Sequence, residues 1–458
     1  MEQDWSSRAM DIKELSGLLQ QNGIVGAGGA GFPTYAKLDE RAETIILDCA
    51  ECEPLLKLHR QLLEKYAQEI IETLHMIGQV VNAKELIIGI KRTYTGAIDA
   101  LNEVIEDYPE VRLGLLDEVY PAGDEVVLIY EVIGKRVRPG GLPIESGVTV
   151  FNVETVYNVY RALNENTPVI DKLVSVTAEV EHPVTVRVPI GTTIEETVKR
   201  AGSVTTKNPV YFIGGPMMGF IGRGSQPVTK TTNAVLVLPR EHFIIQKNKG
   251  NSSIDLKRAA ASCCQCSMCT DLCPRYLLGH PIEPHLFMRA ATCKDIQKPD
   301  IFIDTMFCSS CGLCELYSCM QGLSPRSLMT KYKAGLKESG VRPPQGIAAK
   351  PIGIEREYRK VPMQRLMARL DLTRYDKEAP LDESEVPVRK VKILLSQHIG
   401  TPATAVVKPG EKVSKGQMIA EPGKGLSVGI HASIDGTVCT VNKKYITIET
   451  KEGRAGNE

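Results

Sequence analysis

Two cysteine runs constrain this chain more than anything else in it. Cys263-x-x-Cys266-x-x-Cys269-x-x-x-Cys273-Pro274 is followed by Cys308-x-x-Cys311-x-x-Cys314-x4-Cys319. Each tight C-x-x-C-x-x-C turn brings three thiolates to one place, and a more distant cysteine completes a set of four. That is the ligand supply of a four-iron cluster. Paired C-x-x-C elements also build zinc ribbons, but a zinc site closes with four ligands and has no use for a third and fourth cysteine in each run. A disulfide framework is the other alternative. The spacing is too dense for one, and no secretory leader is visible, so a reducing cytoplasm is expected.

The first run has the spacing of bacterial two-cluster ferredoxins, in which the fourth ligand of a run crosses to the other cluster. On that pattern Cys263, Cys266, Cys269 and Cys319 hold one [4Fe–4S] cluster, and Cys308, Cys311, Cys314 and Cys273 hold the other. The second run departs from the pattern in two places. Its last spacing is four residues, and Met320 stands where proline usually follows. Cys264 and Cys293 fall out of register and are expected to be small buried residues.

Composition narrows the remaining possibilities. At 458 residues the chain has room for three or four domains. Lys plus Arg and Asp plus Glu both number 55, so no global field draws in nucleic acid or anionic lipid. The longest apolar stretches, such as Val126–Tyr130 and Ala234–Leu238, are short and strand-like, far below the ~20 residues of a membrane span. One Trp and eight Phe leave little for a surface that stacks single-stranded nucleic acid.

The pattern along the chain predicts several modules. Ile12, Leu15, Leu18 and Leu19 share one face of a helix over 11–21. A glycine-rich loop follows, Gly23 to Thr34, then a buried strand over 44–47, a helix over 58–79, a strand over 85–90 and a helix over 95–108. This alternation predicts an α/β domain over 1–168. Short strands around one helix, 193–201, predict a small α+β module over 169–245. The cysteines occupy 255–340 between short helices, and 341–388, rich in Pro, Lys, Arg and Glu, is expected as a linker. Short strands separated by Lys408-Pro-Gly-Glu and Asp435-Gly turns predict an all-β module over 389–452. Gly26-x-Gly28-x-x-Gly31 satisfies the dinucleotide-binding pattern but follows a helix rather than a strand, so it is not taken as a Rossmann fingerprint. Its glycines still let backbone N–H groups approach a phosphate closely.

Four segments in order carry a resemblance. Gly23 to Thr34, Asp48-Cys-Ala-Glu51-Cys-Glu53-Pro54, Tyr120-Pro-Ala-Gly123-Asp124-Glu125 and Asn152-Val-Glu154-Thr155 resemble the NADH-oxidising flavoprotein subunit of respiratory complex I. The resemblance implies FMN, with Gly26, Gly28, Gly29, Gly31 and Lys37 near its phosphate and ribityl chain. It implies Asp48, Glu51 and Asn152 near the isoalloxazine and Glu53 or Glu125 near the nicotinamide nucleotide, with Gly123 and Thr155 also among the cofactor-binding residues. Asp48 stands where that family has Asn, so an acceptor replaces an amide donor. Phe32 and Tyr120 are the aromatics available to stack a nicotinamide.

Gly214-Gly-Pro-Met-Met-Gly219 with Pro227-Val-Thr-Lys-Thr-Thr232 resembles the soluble-ligand-binding β-grasp module of the RnfC family of electron-transport proteins. The same module is found in the cobalamin reductases of propanediol-utilisation microcompartments, the PduS family. Lys408 to Gln417 and His431 to Val438 resemble a biotinyl/lipoyl-type barrel-sandwich. Its place after the cysteines follows the order of the PduS family, and its tip, Ser433-Ile434-Asp435, has no lysine to carry a prosthetic group. His398 and His431 are expected to be structural. The family resemblance implies an NADH-dependent corrinoid reductase: NADH to FMN to two [4Fe–4S] clusters to a corrinoid, in or on a bacterial microcompartment, with an adenosyltransferase and a shell protein as partners. The alternatives are an Rnf-type NADH:ferredoxin electron-transport protein and a relay adaptor that does not bind NADH.

Overall fold

The computed structural model describes residues 10–293 and 297–450, so the outer ends of the first and last expected modules, 1–9 and 451–452, lie outside the described residues. Asp11 caps α1 (Ile12–Gln21) by accepting from the Glu14 N–H at 2.7 Å. The helix buries Leu15 and Leu19 completely, each worth about 1.5–3 kcal/mol against exposure. Then come β1 (Thr44–Asp48), α2 (Leu58–Val81), β2 (Glu85–Lys91), α3 (Thr95–Ile105), β3 (Val111–Leu116), β4 (Val119–Tyr120), α4 (Glu125–Ile133), β5 (Val148–Asn152) and α5 (Val153–Asn164). The main sheet is parallel, in the order β3-β2-β1-β5. Ile45, Leu47, Leu86 and Ile88 pack with α2, α3 and α5. Ile46, Ile87 and Val150 pack with α4 on the other face. Both faces are covered, as a parallel sheet requires.

Val126–Tyr130, expected to be strand-like, lies in α4. The Asp124 carboxylate accepts from the Val126 and Val127 N–H groups at 3.1 and 3.2 Å, and Gly134 ends the helix in the left-handed region. A five-residue apolar run carries no period, so the cap decides between helix and strand.

The second sheet contains β6 (Asp171–Ala178), β7 (Val184–Pro189), β8 (Pro209–Ile213), β9 (Phe220–Ile221) and β10 (Ala234–Pro239), with α6 (Ile194–Val198) across one end. Thr193 and Glu196 close a capping box at the start of α6.

The segment 341–388 is not a linker. It contributes β11 (Val361–Pro362), paired with β4, and β12 (Leu381–Asp382), which extends the second sheet beside β7. Between them Leu366, Leu370 and Leu372 are fully buried. Several of its charged residues pair with the first domain, Arg356 and Lys360 with Glu131 and Glu378 with Lys57. Composition registers the charges; it does not register the single buried stripe beneath them.

The C-terminal module is a sandwich of two sheets. One holds β13 (Lys390–Leu394), β19 (Tyr445–Glu449), β18 (Gly436–Val441) and β15 (Lys412–Val413); the other holds β14 (Thr404–Ala405), β16 (Met418–Glu421) and β17 (Ile430–His431). Its tip is docked: Ser433 Oγ donates to the Ile190 carbonyl at 2.6 Å. Buried Lys230 Nζ ties three modules by donating to the carbonyls of Gly23 at 2.5 Å and Gly429 at 3.1 Å. Burial brings its pKa down to about 7.

Candidate functional site

β1 sits where the chain turns from one side of the parallel sheet to the other, and Asp48 at its carboxyl end pairs in register with Asn152 of β5. Ligands of open α/β sheets bind outside the carboxyl ends of strands at such a switch point. A cavity of about 400 Å³ opens there. Gly26, Gly28, Gly29, Lys37, Asp48, Glu51, Glu53, Gly123, Glu125, Asn152 and Thr155 all line it. Phe32, Thr34, Cys52, His59 and Asn233 line it too.

The glycine loop is folded back on itself. Gly26 N–H donates to the Phe32 carbonyl at 2.8 Å, and the Ala27 N–H donates to Thr155 Oγ1 at 2.9 Å. A Cβ on Gly28 would come within 3.3 Å of Asn233 Nδ2. Lys37 reaches from the loop to the Val150 carbonyl at 2.8 Å and to Glu125 at 3.4 Å. Glu51 holds the turn before α2, accepting from the His59 N–H at 3.1 Å, and its backbone is left-handed, φ 34°. Buried Lys91 supports that turn from behind through the Glu51 carbonyl at 3.3 Å.

Burial shapes the charge of this wall. It raises the pKa of Asp48 and Glu51 above the ordinary carboxylate range and takes Glu53 up to about 7. It lowers that of His59 and pushes the Cys52 thiol up to about 12. Thr34 Oγ1, Glu51 Oε2, Glu53 Oε1, His59 Nδ1 and Asn233 Oδ1 are buried here without hydrogen-bond partners. So many orphaned polar atoms on one cavity wall call for a polar ligand. A flavin mononucleotide, with phosphate, ribityl hydroxyls and a polar ring edge, fits that demand.

Two expected residues fall elsewhere. Gly31 does not line the cavity; with φ +67° its missing Cβ makes room for Thr231 and for the Gln397–His398 backbone of the C-terminal module. Tyr120 is 3% exposed and spends its hydroxyl on the Cys311 carbonyl at 2.6 Å, so of the two expected aromatics Phe32 lines the cavity, with buried Phe151 beside it. His59 and Asn233 escaped the motif pattern. His59 lies six residues beyond Glu53, and Asn233 follows the Pro227–Thr232 motif of another module.

The eight cysteines of the two runs form two rings. Cys273, Cys308, Cys311 and Cys314 surround one small cavity. Cys263, Cys266, Cys269 and Cys319 surround the other. Cys319 therefore sits with the first run despite its irregular spacing. Thiols ringing a space suit a four-iron cluster better than one zinc. Burial and neighbouring cysteines raise Cys269, and burial raises Cys273, each to about 12; cationic iron would offset that cost of ionising them. N–H groups already point at sulfur: Gln265 Nε2 to Cys263 at 3.2 Å, Ser310 N to Cys308 at 3.3 Å and Leu323 N to Cys319 at 3.3 Å. Cys264 and Cys293, expected to be buried, are exposed.

The Cys273 ring adjoins the flavin-type cavity. The Glu53 carboxylate, on the cavity wall, accepts from the Met217 N–H at 2.9 Å. The Met217 carbonyl accepts from Arg326 at 2.6 Å, and Arg326 lines the ring. Arg275, next after Cys273-Pro274, pairs with Asp124 at 2.9 Å. The other ring faces outward: Cys266 is exposed, and Met320 beside it is 74% exposed.

Comparison with known proteins agrees with this layout. The Nuo51 FMN-binding domain matches residues 19–161, a 4Fe-4S dicluster domain 262–324 and the RnfC barrel sandwich hybrid domain 373–454. An NAD+-reducing [NiFe]-hydrogenase structure shares the fold, with a TM-score of 0.50 at 20% identity over 73% of this chain and 64% of its own. A component of the ion-translocating oxidoreductase complex of Edwardsiella ictaluri is 34% identical over 59% of this chain and 33% of that protein. FMN and iron–sulfur clusters are thus the cofactors of an electron-transferring oxidoreductase. Cobalamin reductase PduS of Citrobacter freundii is 38% identical over 96% of this chain and 98% of its own length. That of Salmonella typhimurium is 40% identical over 96% and 97%, and with such agreement along the whole length the chain belongs to the PduS family of cobalamin reductases.

Proposed function

We propose that this protein oxidises NADH and delivers electrons one at a time to a corrinoid. The observation that carries the proposal is the spatial series of cavity, inner cysteine ring and outer cysteine ring, the first two joined by Glu53, Met217 and Arg326. FMN, when bound, accepts a hydride and gives up its two electrons separately. The glycine loop from Gly26 to Gly29 and Lys37 would hold its phosphate and ribityl chain; Asp48, Glu51, Asn152 and Thr155 would set the ring. Glu53, Gly123 and Glu125 would border the nicotinamide, with Phe32 against it. Cys308, Cys311, Cys314 and Cys273 would ligate the inner cluster, and Cys263, Cys266, Cys269 and Cys319 the outer one.

A microcompartment setting, an adenosyltransferase and a shell protein follow from the family alone. The apolar face of α1 is spent on the flavin domain through Leu15 and Leu19, so shell docking would fall to another surface. No helix of the described residues is long and apolar enough to cross a membrane. The test is an anaerobic titration of the reconstituted protein with NADH, followed by hydroxocobalamin. Bleaching that recovers on adding the corrinoid supports the proposal. Bleaching without recovery means another acceptor, and reduction by dithionite alone means a relay that does not use NADH.

A further inference from the structure

His59 is the second residue of α2, and its main-chain N–H is tied to Glu51 Oε1 at 3.1 Å. Its ring lines the cavity, where Nδ1 is buried without a partner. The state of that nitrogen follows from its neighbours. Asn152 caps α5, its Oδ1 accepting from the Glu154 N–H at 3.0 Å. That bond fixes the amide orientation and turns the Asn152 NH2 toward His59 Nε2, 3.0 Å away. An NH2 group can only donate here, so Nε2 accepts, and the neutral ring carries its proton on Nδ1. Burial favours the neutral ring; Asp48 and Glu154 pull the other way, while Lys172 and Lys91 act with burial. The outcome is an unpaired N–H donor beside Asp48, whose Oδ1 is already occupied by the Ala50 N–H at 3.0 Å.

We propose that His59 is a flavin-contacting residue whose Nδ1–H donates to an acceptor atom of the isoalloxazine ring. This rests on the assignment of the cavity to FMN. The ring system offers acceptors at its two carbonyls and at N1 and N5 against one N–H donor, so a wall of carboxyl groups alone would complement it poorly. His59 supplies the donor that Asp48 does not.

The test is a fluorescence titration of the flavin-stripped, cluster-intact full chain with FMN, together with the midpoint potential of the bound flavin. Tight binding by the unaltered protein is the starting requirement; its failure would overturn the cavity assignment itself, and the role of His59 with it. His59→Ala is expected to weaken FMN binding about five- to twentyfold and to make the flavin harder to reduce. His59→Asn, which keeps a donor near the Nδ1 position, stays close to the unaltered protein. Adding Asp48→Asn to His59→Ala, which restores an amide donor on the same wall, recovers part of the loss. Unchanged affinity and potential in His59→Ala would refute the inference, as would equal loss in His59→Ala and His59→Asn, which would mean that only the bulk of the ring matters.

Discussion

The two cysteine rings are spelled almost alike and sit in unlike surroundings. The Cys273 ring is walled by three modules: Tyr120 and Asp124 from the flavin domain, Met217 from the β-grasp module and Arg326 from the helix Pro325–Glu338. The Cys263 ring has Cys266 exposed, and the neighbouring Cys264 and Met320 are open to solvent. Ligand spacing specifies that a cluster is held; packing decides which ring lies toward the cavity and which toward solvent. On the proposed route the ring beside the cavity takes electrons from the flavin, and the ring nearer solvent passes them to the acceptor.

The largest expected effect breaks the inner ring. Cys311→Ala should lower iron from about eight to about four per chain and cut corrinoid reduction by roughly two orders of magnitude or more, while flavin bleaching by NADH persists; iron assay and stopped-flow absorbance check this. Cys266→Ala should bring a similar loss of iron but a smaller loss of turnover, since the inner cluster remains as a poor outlet; the comparison of the two variants on one acceptor measures how far exposure matters.

Glu53 couples the cavity to the inner ring, and its pKa gives a pH signature. With a folded pKa raised from 4.5 to about 7, the folded state holds the extra proton between those values. Glu53 then contributes stability that is full below pH 4.5 and is lost as pH rises through about 7. Melting temperatures across that window should fall less steeply in Glu53→Gln than in the unaltered protein. The smallest effect is that of Tyr120→Phe, which removes the hydroxyl bond to the Cys311 carbonyl. About 0.5–1.5 kcal/mol of stability and a slight shift of the inner cluster potential are expected, with the outer cluster unaffected; a redox titration followed by electron paramagnetic resonance distinguishes the two.

Much of this was legible in the sequence, for identifiable reasons. The β1 and β2 runs are continuously apolar because both sheet faces are covered, and α2 shows its period over many turns. The expected grouping of the rings rests on the spacing of two-cluster ferredoxins, three ligands from one short turn and a fourth from the other run. At the cavity wall Gly28, Asp48 and Asn152 were within reach because the segments that carry them resemble a known flavoprotein family; nothing in their local pattern alone demands a flavin. What stayed hidden depends on tertiary contact. Gly31 matches the loop motif yet serves the packing of Thr231 and His398. Asn233 enters the cavity from another module, and His59 acquires meaning only through the orientation of Asn152. The strap 341–388 hid its buried leucines among charges, some of which pair with the first domain.

The central claim is the order cavity, inner ring, outer ring. Rapid freeze-quench electron paramagnetic resonance of the Cys311→Ala protein after mixing with NADH tests it directly. The account predicts a reduced flavin with the remaining outer cluster still oxidised on the timescale in which the unaltered protein reduces both clusters. An outer cluster reduced at the unaltered rate would contradict the order, because electrons would then reach the Cys263 ring without passing the Cys273 ring.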